Sequence, residues 1–138
     1  TDPDNRRTYP WGHEDRELID FHKAIIRIHK EHKEFLTGSL KYIESDYNVI
    51  GYGRFTRQAQ SVILVNNNEI TKEMSVWYLG IPKECTVKQL MLTTAQGYTT
   101  EEKEYPVIAG KVTVTLPATS AIILRYEDHA IKNFLQFI

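Results

Sequence analysis

The spacing of hydrophobic positions changes once along the chain, near Ser39. Before it, Leu18, Phe21, Ile25 and Ile28 recur at helical spacing and Phe35 continues the face. Ile19 and Ile26 widen the stripe beyond what a surface helix needs. Glu14 or Asp15 suits the positive end of a helix dipole, Lys30, His32 and Lys33 suit the negative end, and Gly38 lies where the helix would finish. One long helix is predicted over 14–36. Residues 1–13 hold two prolines and a glycine, a turn-rich stretch that neither helix nor interior strand tolerates.

Beyond Ser39 the pattern becomes short and strand-like, with candidates at 39–43, 49–57, 60–65, 74–80, 86–93, 103–108, 111–116 and 120–126. Residues 61–68 organise the rest. Val62, Ile63, Leu64 and Val65 are apolar on both faces, as a strand inside a sheet must be, and three asparagines then stop it. Residues 111–116 alternate cleanly, Val112, Val114 and Leu116 inward and threonines outward, with Ala109-Gly110 as a tight hairpin link. About eight short strands at regular spacing predict an antiparallel Greek-key β-sandwich preceded by one long α-helix. Ile131, Phe134, Leu135 and Ile138 return to helical spacing, so 127–138 reads as a helical arm closing one edge.

Composition narrows the classes. With 138 residues, 41% hydrophobic and 25% charged, the chain suits one compact domain with a real core and is not disordered. Net charge is −1, from 17 basic and 18 acidic residues, and no basic cluster forms a footprint for nucleic acid or an anionic membrane. Cys85 is the single cysteine, so no internal disulfide can form. The opening at Thr1 looks like a cut piece, which leaves the compartment unread.

Reactive constellations are scarce. There is no Gly-x-Ser-x-Gly, phosphate-binding glycine loop or His-Glu-x-x-His, so no catalytic residue and no cofactor is expected. His29 and His32 share a helix face with His22 two turns above, but no carboxylate joins them, and packing or solvation is expected rather than a metal. Tyr42, Tyr47, Tyr52, Trp77, Tyr78, Tyr98 and Tyr105 are candidates for stacking on a sugar, although Trp77 and Tyr52, inside strands, are expected in the core. Asp2 and Arg6 place a carboxylate and a guanidinium on one constrained loop. They either grip neighbouring sugar hydroxyls or simply stabilise the loop.

The string Asp2-Pro3-Asp4-Asn5-Arg6-Arg7-Thr8-Tyr9-Pro10-Trp11 resembles the loop after the eighth barrel strand in the α-amylase family of glycoside hydrolases. It is most like the neopullulanase, cyclomaltodextrinase and maltogenic amylase branch. Residues 18–38 are similar to that family's last barrel helix and its Leu-x-x-Gly approach to the C-terminal domain, and the later strands to that domain. His29 stands where the family usually has Arg, Lys33 where it often has Pro, and Tyr9 where Met or Phe is common, which leaves the substrate subgroup open.

The resemblance implies that 1–36 is a remnant of a catalytic (β/α)₈ barrel, loop 1–13 followed by helix 14–36, with 37–126 the C-terminal β-sandwich. The implied activity is retaining hydrolysis of α-glucosidic bonds by carboxylates on earlier barrel strands, upstream of Thr1. The piece alone is then inert. Asp2 and Arg6 match positions that contact a glucose on the glycone side of the cleft. The implied partners are the parent barrel and, through it, an α-glucan or maltooligosaccharide. A helix stripe made for an absent barrel must be exposed, fold back on the sandwich, or pair with a second copy as a homodimer. Two other readings stay open: a free-standing carbohydrate-binding sandwich using Trp77, Tyr78 or Tyr98, and an interaction module docking through its helix.

Overall fold

The structure, a computed structural model, describes residues 7–128. Helix α1, Arg16–Glu31, starts where the acidic cap was expected: Asp15 accepts a hydrogen bond from the Leu18 amide at 3.0 Å. It does not run unbroken to residue 36. His32 is extended (φ −121°, ψ 112°), and a second short helix, α2, spans Lys33–Thr37. The His32 ring donates Nδ1–H to the Ile28 carbonyl at 2.8 Å; His22 makes the same bond to Leu18 inside α1, where the helix continues, so the bond accompanies the break and does not cause it. The break falls just before Lys33, where the resembled family often carries a proline that would enforce it.

Among the described residues nine antiparallel strands follow: β1 Ser39–Asp46, β2 Val49–Phe55, β3 Ala59–Asn66, β4 Lys72–Trp77, β5 Cys85–Thr94, β6 Gly97–Thr99, β7 Glu104–Ile108, β8 Lys111–Leu116 and β9 Ser120–Glu127. β6, three residues pairing with β5, is the strand the hydrophobic pattern missed. The sheet order is β1-β2-β3-β9-β5-β7-β8-β4, with β6 beside β5. Strands β5, β7 and β8 run consecutively and β9 returns to lie beside β5, which is the Greek-key arrangement. β3 is interior, paired with β2 on one side and β9 on the other. The β7–β8 turn uses Ala109 and Gly110, both at positive φ.

The sheet curls until its outer strands, β1 and β4, approach each other. Its concave face encloses a core that includes Val62, Leu64, Val76, Val87, Val112, Leu116, Ile122 and Leu124. Asn66, fully buried at the end of β3, explains how the asparagine run ends that strand. Its Nδ2 shares hydrogen bonds among the carbonyls of Ile70, Leu116 and Pro117 at 2.9–3.2 Å, and its Oδ1 accepts from the Asn68 amide. β9 reaches Glu127, so the sheet takes in the first residue of the expected helical arm, and the amide of the next, Asp128, bonds the Gln58 carbonyl at 2.9 Å; residues 129–138 lie outside the described residues.

Candidate functional site

The convex face of the sheet is built as sharply as the core. In antiparallel ladders, directly paired residues point to the same side. Tyr42, Tyr52, Ile63, Ile123 and Met91 are successive partners across β1, β2, β3, β9 and β5, which makes a five-strand apolar row. A register shift between Gln89 and Met91 completes it. Val87 and Gln89 point to the core side, and by simple alternation Met91 would follow them; the bulge turns it to the convex face instead.

Helix α1 covers one end of that row. Ile28 and, from α2, Phe35 are buried against Ile63, Met91 and Ile123, with Phe21, Ala24 and Ile25 beside them. Phe21 meets the Tyr98 ring edge-on at 5.6 Å, and the Tyr98 hydroxyl donates to Asp20, tying hairpin β5–β6 to the helix. That bond to the Asp20 carboxylate pushes the Tyr98 hydroxyl above its ordinary pKa.

The other end stays open. An apolar cleft of about 220 Å³ lies between α1 and the sheet, lined among others by Ile25, Phe35, Tyr52, Ile63 and Ile123. Beside it Leu40 and Tyr42 are exposed at 59% and 69% on β1, and Leu18, Ile26 and Leu36 are about half exposed on the helices. Single exposed apolar side chains are ordinary, whereas exposed apolar side chains gathered about an apolar cleft are common at interaction surfaces.

Beside the apolar row, after Leu40 on β1, runs a polar one: Arg54, Ser61, Arg125 and Lys88 are successive partners. Glu34 of α2 is lowered onto it and is fully buried. Its Oε1 accepts from Ser61 Oγ at 2.7 Å and from Arg125 Nε at 2.6 Å, while Oε2 is buried without a hydrogen bond among the described residues. Burial pushes the Glu34 carboxyl up, but the bonds from Arg125 and Ser61 outweigh it and hold the group below the ordinary carboxylate value. Arg125 also reaches Glu127 at 3.0 Å. Arg54 donates to the Gly38 carbonyl at 3.0 and 3.3 Å from two nitrogens. The joint between helix and sheet is therefore clasped at both ends.

The expected site residues fare unevenly. Asp2 and Arg6 lie outside the described residues. Later in the same loop, Tyr9 and Trp11 pack edge to face at 4.6 Å and are both exposed. Tyr78, a stacking candidate, belongs to the core, its hydroxyl bonded to the carbonyls of Gln60 and Leu124. Trp77, expected in the core, is 55% exposed because Val76 and Tyr78 take the inward positions on either side. Tyr52 is partly buried on the convex face, not in the enclosed core. Tyr98 is committed to the helix contact. His22 donates Nδ1–H to the Leu18 carbonyl at 2.8 Å, and His29 stacks on Phe35. Among the described residues no three His, Cys, Asp or Glu converge as metal ligands. Sequence reasoning missed Glu34 and Arg125; the available signal was a carboxylate beside Phe35-Leu36 and an arginine ending the apolar run 121–124.

In class the molecule is a Greek-key β domain with an amphipathic helix laid on its convex face and an apolar cleft beside that helix. No protein-family model matches the chain. It is 27% identical to the amylopullulanase of Thermoanaerobacterium saccharolyticum over 92% of its length, and 27% identical to that of Thermoanaerobacterium thermosulfurigenes over 92%. The chain spans only 10% and 7% of those two relatives. Among solved structures, its fold matches the α-amylase of Geobacillus thermoleovorans (TM-score 0.77, 19% identity, 94% of this chain and 27% of that one). The Nostoc punctiforme debranching enzyme matches with a TM-score of 0.65 and 18% identity, over 89% of this chain and 24% of that one. The chain is thus similar to a small part of α-amylase-family enzymes and has the fold of their C-terminal β domain.

Proposed function

We infer that this chain is the C-terminal structural domain of an α-glucan hydrolase, with residues 1–36 as the last loop and helix of a catalytic barrel. The observation that carries the reading is the five-strand apolar row, covered by α1 at one end and open at the Tyr42 end. The open end, the cleft and the outer stripe of α1 form one surface, suited to the flank of a barrel to which α1 itself belongs. On this reading residues 37–126 form the brace and 127–138 an arm at its edge. The catalytic carboxylates sit on other barrel strands of a longer chain, and Asp2 and Arg6 hold a glucose on the glycone side of its cleft.

The test is made in the longer enzyme. Leu18→Asp and Tyr42→Asp should each lower its thermal midpoint by several degrees, while Asp2→Ala and Arg6→Ala should raise KM for maltooligosaccharides at an unchanged midpoint. Unchanged stability in both aspartate variants would defeat the docking role; an unchanged KM would defeat the substrate role of Asp2 and Arg6. For the chain alone, the same surface supports a homodimer, and light scattering giving a strict monomer that binds no apolar dye would defeat that pairing.

A further inference from the structure

The sheet parts along one line. Among the described residues the ladder between β5 and β9 runs from Thr93 and Ala121 as far as Lys88 and Arg125, and stops there. Beyond that pair β5 continues on β7, with Cys85 opposite Val107, while β9 continues on β3, with Tyr126 opposite Gln60 and Glu127 opposite Ala59. A cleft of about 480 Å³ lies where the two strands diverge, lined among others by Val87, Leu90 and Tyr126. Val87 belongs to the enclosed core, Tyr126 packs against it, and Leu90 packs on the convex cluster, so the cleft borders both apolar layers of the domain. It shares no lining residue with the cleft beside Tyr52.

We propose that residues 129–138 of this chain occupy the cleft, as an amphipathic helix laid back along β5 with Ile131, Phe134, Leu135 and Ile138 turned toward Leu90 and Tyr126. The proposal rests on the reading of 127–138 as an arm and gives that arm its seat.

Position supports it first. Asp128 itself lines the cleft, its amide held by the Gln58 carbonyl, so the next residue leaves from the rim. Length agrees: β5 spans about 13 Å from Thr86 to Leu90, and the stripe from Ile131 to Ile138 spans about 10 Å as a helix. Charge agrees as well. Around the cleft the acids Glu104, Glu127 and Asp128 outnumber Lys88 and Arg125, and the arm carries His129 and Lys132 but no acidic side chain. Left in water, the four apolar side chains would form an exposed stripe of the kind soluble proteins cover. A separate partner would have to displace a segment tethered at the rim, whose effective concentration is about millimolar. An arm here and a barrel at the Tyr42 end do not compete, because the two clefts have separate linings.

The experiment uses the full chain. In isotope-edited NMR, the Phe134 ring should show nuclear Overhauser contacts to Leu90, a readout that needs no variant to fold. Phe134→Ser should lower the Tm by about 3–7 °C and raise apolar-dye fluorescence about twofold, and Phe134→Leu should restore most of the Tm. A helix at 129–138 whose contacts fall on Tyr52 instead of Leu90 would overturn the seat and leave the arm standing; random-coil signals throughout 129–138 would overturn both. An unchanged Tm for Phe134→Ser would also overturn the proposal. So would contacts found only between differently labelled copies in a mixed sample, since a second copy would then be the occupant. Leu18→Asp and Tyr42→Asp touch no residue of this cleft, so failure of the docking role is a separate outcome.

Discussion

Replacing Glu34 by glutamine keeps the size of the side chain but removes the negative charge facing Arg125. The pair is well buried, with Glu34 at 0% and Arg125 at 16% side-chain exposure. Removing one partner of a buried ion pair costs about 3–5 kcal/mol. Arg125 keeps the Glu127 carboxylate at 3.0 Å, so the cost should fall just below that range, at about 2–3 kcal/mol. Unfolding entropy of about 2.1 cal/mol/K per residue over 138 residues gives roughly 0.29 kcal/mol/K, so the Tm should fall by about 7–10 °C. The effect also has a pH signature. The folded carboxyl titrates below its ordinary value of 4.5, so the stabilisation is fully present above 4.5 and is lost as pH falls through the depressed folded value. Urea unfolding followed by circular dichroism at pH 7 and pH 3.5 should therefore show wild type and Glu34→Gln separated at pH 7 and drawn together at pH 3.5. The double variant Glu34→Leu with Arg125→Met should recover most of the loss, because apolar replacement of both partners is often neutral. A pH 7 gap below about 0.5 kcal/mol, against the 2–3 expected, or a gap that ignores pH, would refute the assignment of this pair as the clasp.

Three further outcomes are expected. Gly38→Ala would place a Cβ 2.4 Å from the Glu34 carbonyl oxygen and 3.0 Å from the Phe55 backbone, so overpacking should cost about 1–3 kcal/mol in urea unfolding. Asn66→Ala leaves the buried ends of β3 and β8 without their shared donor and should cost about 1–3 kcal/mol by the same measurement; a loss under about 0.5 kcal/mol would mean water replaces the side chain. In the isolated chain, Tyr42→Ser should change stability by less than about 0.5 kcal/mol while reducing apolar-dye fluorescence, since Tyr42 is exposed on the open end of the row.

How much of this was legible in the sequence follows from which physical signals are local. Every strand but β6 shows because it alternates or ends in a turn former: Val112, Val114 and Leu116 face inward as their spacing requires, and the run 62–65 is interior. The helix start shows because its cap is a short-range bond. The break at His32 does not show, because no proline or glycine marks it. The bulge at Gln89–Met91 is equally silent, since nothing in Gln-Leu-Met marks a change of face. Trp77 misleads because aromatic residues favour strands on either face, and only its register with Lys111 settles which. The clasp is the least local feature: Glu34, Ser61 and Arg125 are distant in sequence and meet only after β3 and β9 pair. Asp2 and Arg6, expected from their loop and from the resemblance, lie outside the described residues.

The clasp also bears on how such domains can be exchanged between enzymes. A seam cut at residue 36 or 37 looks natural on paper, yet it would separate Glu34 from Arg125 and strand an arginine beneath a foreign helix. Chimeras that carry residues 16–127 as one block should survive the transplant, and those spliced at the apparent border should need a matching acid supplied from the host side.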